Sequence, residues 1–230
     1  MDKVETNTAV PRGQNLSSLL RSSTMAIHGQ VEGGDFMKKI FSGPLTEQDY
    51  YLYLWSLVQV YESLENSMAE HQSEQNISPV YFKELLRMSS LQTDMEVWKS
   101  FQVEIPESLK KTVHAYCEYL QSLSAQNPSL LVAHAYVRYL GDLSGGQMIA
   151  KALGKKFVNS QGLHFYSFDQ VHDIHEMKQA YRRGLDQIGS QSPDKVQALC
   201  EEAQKAFEWN GKVIQALSIA SEGMANGATH

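Results

Sequence analysis

Apolar residues recur every three or four positions over most of the chain, which is the spacing of one face of an α-helix. Asn15 can cap a first helix, and Gly33–Gly34 can end it. The apolar positions of that helix are Leu16, Leu19, Leu20, Ile27 and Val31. No stretch alternates apolar and polar residues between hairpin turns. The pattern therefore predicts an all-α fold of about eight helices in one domain.

Capping and helix-breaking residues divide the rest of the chain. Thr46 and Asp49 have the spacing of a capping box, at the start of an aromatic-rich helix. The predicted helices lie near 36–40, 46–70, 80–91, 94–100, 106–123, 128–154, 170–188 and 193–220. We expect residues 1–14 to form a flexible leader, 15–220 the folded domain and 221–230 a flexible tail.

The segment Val137–Phe157 is unusual because three glycines within six residues, Gly141, Gly145 and Gly146, interrupt a helical pattern. Each glycine is less favourable in a helix than alanine by roughly 1 kcal/mol. Gly141 and Gly145 are four residues apart, so they share one helix face, which a flat ligand or another helix can approach closely. One glycine pair would favour a close helix crossing. Adding Gly146 and the embedded Asp142 favours a ligand site.

A second group of candidate residues lies on the first helix. His28 and Glu32 are one turn apart, so the carboxylate can orient an imidazole that binds a metal. The alternative is that His28, as a lone histidine on a partly apolar face, is a buried structural residue. Arg21 is two turns before it, and Lys178 and Arg182 are four residues apart on a later helix, an arrangement suited to anchoring carboxylates.

Composition and the absence of certain motifs argue against several classes of function. The net charge is −6 with scattered Lys and Arg, which gives no support for nucleic-acid binding. His172 and His175 are expected on a solvated surface, and no Glu-x-x-His pair supports a di-iron bundle. The N-terminal residues lack an apolar signal region, no segment has the length of a membrane span, and the two cysteines form no CxxC motif. These features predict a soluble protein of the cytoplasm or another reducing compartment.

Several blocks of sequence, in order, resemble the heme oxygenase family. The first is RSSTMAIHGQVEGGDFMKKIFSG at 21–43, and the most specific is LLVAHAYVRYLGDLSGGQ at 130–147. Between and after them come VQVYESLE, PVYF, FYSF, MKQAYRR and AFEWN. The resemblance runs from about Leu16 to Leu217. It implies a multi-helix bundle that sandwiches heme between a proximal helix and a kinked distal helix at 141–146.

The resemblance also implies a role for individual residues. His28 would be the iron ligand, and heme b would be both substrate and cofactor. The residues implied to bind heme are Arg21, Thr24, Glu32, Tyr136, Lys178, Arg182, Phe207 and Asn210. Those implied in catalysis are Asp142, Gly141, Gly145, Tyr61 and Arg138. Arg21 departs from relatives that often carry lysine, but its charge is retained.

The implied reaction is oxidative cleavage of heme to biliverdin, ferrous iron and carbon monoxide. It would use dioxygen and electrons from a redox donor protein, either a ferredoxin or an NADPH-dependent flavoprotein reductase. The alternative is a non-enzymatic heme carrier or sensor, which needs His28 and the cationic residues but not Asp142. A third alternative is a related all-α fold with another small cofactor, in which His28 would be only structural.

Overall fold

Residues 15–157 and 162–227 are described in a computed structural model, and they form eight α-helices and no strand. The expected leader, residues 1–14, lies outside the described residues. The helices are α1 Leu16–Glu32, α2 Asp35–Phe41, α3 Glu47–Glu70, α4 Met88–Trp98, α5 Glu107–Gln126, α6 Leu131–Lys156, α7 Ile174–Gln191 and α8 Val196–Gly227. The all-α prediction is confirmed.

The helix starts show which capping predictions were sound. At α3 the capping box forms: the Asp49 N–H donates to Thr46 Oγ1 over 3.1 Å, and the Thr46 N–H donates to Asp49 Oδ2 over 3.0 Å. Asn15 does precede α1, but its side chain makes no capping bond to the described residues. Instead the Ser17 N–H donates to Asp186 Oδ1 of α7, over 2.9 Å. A tertiary contact therefore satisfies a free N–H of the first turn.

The predicted helices at 80–91 and 94–100 are wrong. Two short 3₁₀ turns, Ser78–Val80 and Lys83–Leu85, precede a single helix, α4, which ends in a third 3₁₀ turn. Asp94 does not start a helix. It is fully buried inside α4, and its carboxylate accepts the backbone N–H groups of His164 and Phe165, at 2.8 and 2.7 Å. Its role is thus to hold the turn His164–Tyr166 against α4.

Other helix boundaries also differ from the sequence pattern by several residues. α7 begins at Ile174 rather than near residue 170, because the Asp173 side chain accepts the first free N–H groups of that helix. α8 continues to Gly227, beyond the end expected near residue 220. α6 runs without interruption through its glycines.

α8 is the longest helix, and it packs against α1, α2, α5 and α6, while α3 packs against α4 and α5. Small residues allow some of the close approaches. A Cβ placed on Gly189 of α7 would lie 2.7 Å from the Cβ of Leu16, so this glycine is needed where α1 crosses α7. Large aromatic side chains, among them Tyr61, Tyr116 and Trp98, fill the interior. In the part of the chain that the structure describes, no helix is both long and apolar enough to cross a lipid bilayer.

Candidate functional site

A cavity of about 680 Å³ lies between α1, α3, α6 and α8, and we call it the central cavity. Its volume falls within the range of about 300–1,000 Å³ that is common for ligand sites. Most of the predicted site residues line it: Arg21, Thr24, His28, Tyr136, Arg138, Gly141, Asp142, Gly145, Arg182, Phe207 and Asn210. The fold therefore gathers predicted residues from four helices, α1, α6, α7 and α8, around one space.

A larger cavity of about 900 Å³ lies between α3 and α5. Polar and acidic side chains line it, including Glu62, His114 and Glu118. None of the predicted site residues is among those that line it. Size alone is thus a poor guide here, and the chemistry assigns function to the central cavity.

The wall formed by α6 is nearly bare backbone at the two predicted glycines. A Cβ built on Gly141 or Gly145 meets no described atom within 4 Å, although both residues line the central cavity. Gly146 differs, because its Cβ would touch the ring of Tyr166 at 3.4 Å. We call the surface of Gly141 and Gly145 the glycine face. It leaves room for a flat ligand to contact the helix backbone.

His28 lies on the α1 wall of the same cavity. Its imidazole packs edge-on against the ring of Phe207 from α8, with the ring centroids 5.4 Å apart. Glu32 belongs to α1, but its side chain lies outside the described residues, so its predicted pairing with His28 stays a prediction. Within the described residues no three His, Cys, Asp or Glu side chains converge to hold a metal ion. An iron atom would therefore have to arrive with its own equatorial ligands.

Asp142 belongs to a half-buried hydrogen-bonded group that we call the Asp142 network. The Tyr61 hydroxyl donates to Asp142 Oδ2, and it accepts from Arg138 Nε over 3.1 Å. Arg138 Nη1 donates to Asn210 Oδ1 over 2.7 Å. Tyr61 is fully buried and does not line the cavity. It therefore acts behind Asp142, joining α3, α6 and α8.

The charges of this network are tuned by burial. Burial raises the pKa of the Asp142 carboxyl, while Arg138, the Tyr61 hydrogen bond and Arg87 oppose that rise without cancelling it. Burial would lower the pKa of Arg138, but Tyr61 and Asp142 outweigh it and the pKa is raised. Arg138 thus stays charged, and Asp142 holds a proton more readily than a solvated aspartate does.

Cationic residues lie at one edge of the central cavity. Arg21 of α1 and Arg182 of α7 line it, and we call them the cationic rim. Lys178 is not among the lining residues. Its Nζ is 3.5 Å from the Oγ of Ser144, which does line the cavity, so Lys178 is next to the cavity wall without forming part of it. Tyr136 is close by: burial raises its pKa, and Thr24, Arg182 and Arg21 act in the opposite direction.

Sequence reasoning missed several residues of the cavity wall. Tyr53 and Ser56 of α3 line it, as do Met37 and the largely exposed methionines Met25 and Met148, whose exposed fractions are 69% and 62%. The aromatic run in α3 was visible in the sequence, but no local signal showed which ring faces the cavity. Exposed methionines beside a cavity are an apolar surface that a ligand would cover.

The residues present suit heme. The glycine face and the methionines offer two apolar surfaces to a flat ring, His28 offers an imidazole, and the cationic rim suits two carboxylates.

Comparisons with known proteins agree with this geometry. Residues 14–216 match the sequence profile of the family "Heme oxygenase". The chain is 35% identical to heme oxygenase 1 of Gallus gallus over 237 residues, covering 99% of this chain and 78% of that protein.

Two solved structures also resemble this fold. The heme oxygenase of Leptospira interrogans has a TM-score of 0.80 at 28% identity, covering 88% of this chain and 99% of the other. The complex of Synechocystis heme oxygenase-1 with heme has a TM-score of 0.76 at 29% identity, covering 94% and 100%.

Proposed function

Since the chain belongs to the heme oxygenase family, we propose that the central cavity is where it binds heme and opens the ring. As a member of this family it is an enzyme that cleaves heme oxidatively to biliverdin, ferrous iron and carbon monoxide. The observation that carries the assignment to this cavity is Asp142. A half-buried carboxylate, oriented by Tyr61, lies in the wall beside the glycine face and in the same cavity as His28.

Binding is assigned to residues of α1, α6, α7 and α8. His28 would supply an imidazole ligand to the iron, and Glu32 would orient that imidazole. The cationic rim holds the two propionates of heme b, and Lys178 and Tyr136 add to that end. The remaining contacts come from Thr24, Phe207 and Asn210. Bound heme supplies the iron that activates dioxygen, and its own ring is the substrate.

The glycine face and Asp142 are assigned to catalysis. Without side chains at Gly141 and Gly145, the α6 backbone can lie against the bound ring and limit the space above it. The Asp142 carboxyl is positioned to hold water in that space and to pass a proton from its oxygens, since its pKa is raised by burial. Tyr61 orients the carboxyl, and Arg138 orients Tyr61.

A heme carrier or sensor is the competing function, and the Asp142 network argues against it. Burying an aspartate and an arginine is costly in free energy unless both are well hydrogen-bonded. A carrier needs only the imidazole, the apolar walls and the cationic rim. The network is thus best explained by proton transfer at the wall of the cavity that α6 forms.

Replacing Asp142 tests the function directly. Asp142→Ala removes the carboxylate without touching His28, so heme should still bind with a small spectral change while biliverdin formation falls by about 10²-fold or more. Asp142→Asn should be intermediate, because an amide can still hold one water. The matched control is Asp169→Ala, an exposed aspartate outside the cavity, which should keep the wild-type yield. Normal biliverdin yield from Asp142→Ala, measured by product chromatography, would contradict the assignment.

The electron donor is proposed to be a soluble redox protein, either a ferredoxin or an NADPH-dependent flavoprotein reductase. The exposed Arg183 on α7, next to the cationic rim, provides a positive charge for such a donor. A reducing compartment, such as the cytoplasm, suits the two free thiols, Cys117 and Cys200.

A further inference from the structure

The cavity between α3 and α5 takes no part in the proposed function, and we call it the acidic groove. It has a volume of about 900 Å³, and its lining residues run from Gln59 to His71 on α3 and from His114 to Ala125 on α5. At about 1.5 Å per residue, a stretch of helix of this length spans roughly 18 Å. The acidic groove is therefore an elongated space that follows two helices.

Three glutamates line the acidic groove, and no described residue neutralises their charges. Glu62 and Glu70 belong to α3, and Glu118 belongs to α5. No lysine or arginine is among the described residues that line the groove, and none of the three carboxylates forms an ion pair within the described chain. Burial raises the pKa of the Cys117 thiol to about 11, and the charges of Glu62 and Glu118 add to that rise. Two carboxylates from facing helices thus lie near one thiol, where they repel each other unless a cation lies between them.

A nearly buried hydroxyl also opens into the acidic groove. Ser67 lines the groove and is only 4% exposed, yet its hydroxyl has no hydrogen-bond partner among the described residues. Ser63, one turn earlier, differs because its hydroxyl donates to the Cys117 carbonyl over 3.1 Å. A hydroxyl that is unpaired in the free protein can accept a hydrogen bond from a ligand without losing another partner.

At the far end of the acidic groove, Glu70 is held in position by its neighbours. The Ser124 hydroxyl donates to Glu70 Oε2 over 3.0 Å, and Ser124 Oγ is also 3.0 Å from His71 Nε2. Glu74 Oε1 lies 2.6 Å from His71 Nδ1, on the other side of the ring. Glu70 is thus oriented through one oxygen, while its second oxygen makes no hydrogen bond to a described residue.

These features suit an organic cation better than a metal ion. Among the described residues, no three His, Cys, Asp or Glu side chains converge to hold a metal. An ammonium group has three donors and no acceptor, so it pairs with carboxylates and with an unpaired hydroxyl oxygen. Glu62 and Glu70 are eight positions apart on α3, which is a rise of about 12 Å. Nine single bonds separate the end nitrogens of the linear triamine spermidine, and an extended chain of that length reaches about 10–11 Å.

We propose that the acidic groove is a binding site for a linear polyamine. One ammonium group lies between Glu62 and Glu118, and another lies at Glu70. Ser67 is between Glu62 and Glu70 along α3, so its hydroxyl accepts a hydrogen bond from an inner nitrogen of the chain. No described residue lines both the acidic groove and the central cavity, so the site does not depend on heme or on the proposed function.

The test is isothermal titration calorimetry of the full, heme-free chain at low salt, with spermidine as the probe. We expect one site per chain. Putrescine has two nitrogens only five bonds apart, so it cannot reach both ends of the groove and should bind at least about fivefold more weakly. Magnesium chloride at the same concentration should not displace spermidine. Equal affinity for putrescine, or displacement by magnesium, would overturn the proposal.

A charge-matched pair of variants shows whether spermidine binds in the groove. Glu62→Gln combined with Glu118→Gln should raise the Kd for spermidine about 5- to 30-fold, because two ion pairs are lost. The matched control combines Glu96→Gln with Glu104→Gln, which change the net charge equally at two exposed positions outside the groove. The control should raise Kd by less than about twofold, since salt screens distant charges. Equal losses in the two double variants would mean that spermidine responds only to the net charge of −6, and would overturn the site.

Ser67→Ala tests whether the ligand enters the groove. The hydroxyl is unpaired in the free protein, so the variant should keep the wild-type Tm while the Kd for spermidine rises about 3- to 10-fold. Ser63→Ala is the control. It removes a hydroxyl that is already bonded to Cys117, so it should lower Tm by about 2–4 °C and leave Kd unchanged. A Ser67→Ala variant that binds spermidine as tightly as the wild type would overturn the proposed site.

Discussion

Replacing Gly141 or Gly145 with alanine should stabilise the heme-free protein while weakening heme binding. Both glycines lie inside α6, where alanine is favoured over glycine by roughly 1 kcal/mol. The new methyl group would meet no described atom within 4 Å, so no steric clash offsets that gain. For a domain of this size, 1 kcal/mol corresponds to an increase in Tm of about 2–4 °C.

The same methyl group should weaken heme binding if the glycine face contacts the ring. Heme would have to shift away from α6, and overpacking of this kind typically disfavours a structure by about 1–3 kcal/mol. That range corresponds to roughly 5- to 150-fold in Kd. The expected signature is therefore a pair of opposite effects, with a higher Tm without heme and a higher Kd for heme.

The assay combines thermal unfolding of the heme-free variants with heme titration followed by absorbance. Gly154→Ala is the matched control. Gly154 is also on α6 with no described atom within 4 Å of its Cβ, but it does not line the central cavity. It should gain stability and bind heme normally. If Gly141→Ala and Gly145→Ala both bind heme as tightly as the wild type, the glycine face is not where heme lies.

Three further predictions concern the ligand, the propionate end and acid stability. His28→Ala should bind heme loosely and lose turnover, with partial rescue by free imidazole; an unchanged heme absorption spectrum would exclude His28 as the ligand. Replacing both Lys178 and Arg182 with alanine should weaken heme binding by about 1 kcal/mol for each exposed ion pair, which raises Kd roughly thirtyfold. The double variant should also yield mixed biliverdin isomers. A single unchanged isomer at unchanged affinity would mean that other residues anchor the propionates. Burial would raise the pKa of Glu202, but hydrogen bonds from His134 and its neighbours lower it from 4.5 to about 2. The contribution of Glu202 to the free energy of unfolding should therefore be complete above pH 4.5 and be lost as pH falls towards 2. In acid denaturation, Glu202→Gln should flatten this part of the plot of unfolding free energy against pH. An unchanged plot would contradict the prediction.

The sequence by itself determined the helical class, the ends of the first three helices and the position of the glycine face. These features depend on local physics. Periodicity shows which side of a helix is apolar, and the Thr46 capping box involves residues three apart. Gly141 and Gly145 share a face in any α-helix. The resemblance then named eleven of the residues that line the central cavity.

Only the tertiary structure decided which distant side chains meet. Tyr61 and Asp142 are 81 positions apart, and nothing local shows that the phenol supports the carboxylate. Asp94 looks like a helix start, yet it accepts N–H groups some 70 positions away. Tyr53 and Tyr51 look alike in the aromatic run, but only Tyr53 lines the cavity. Hydrogen bonds between distant segments, and the burial of their side chains, depend on how the helices pack. The spacing of residues within one helix does not determine that packing.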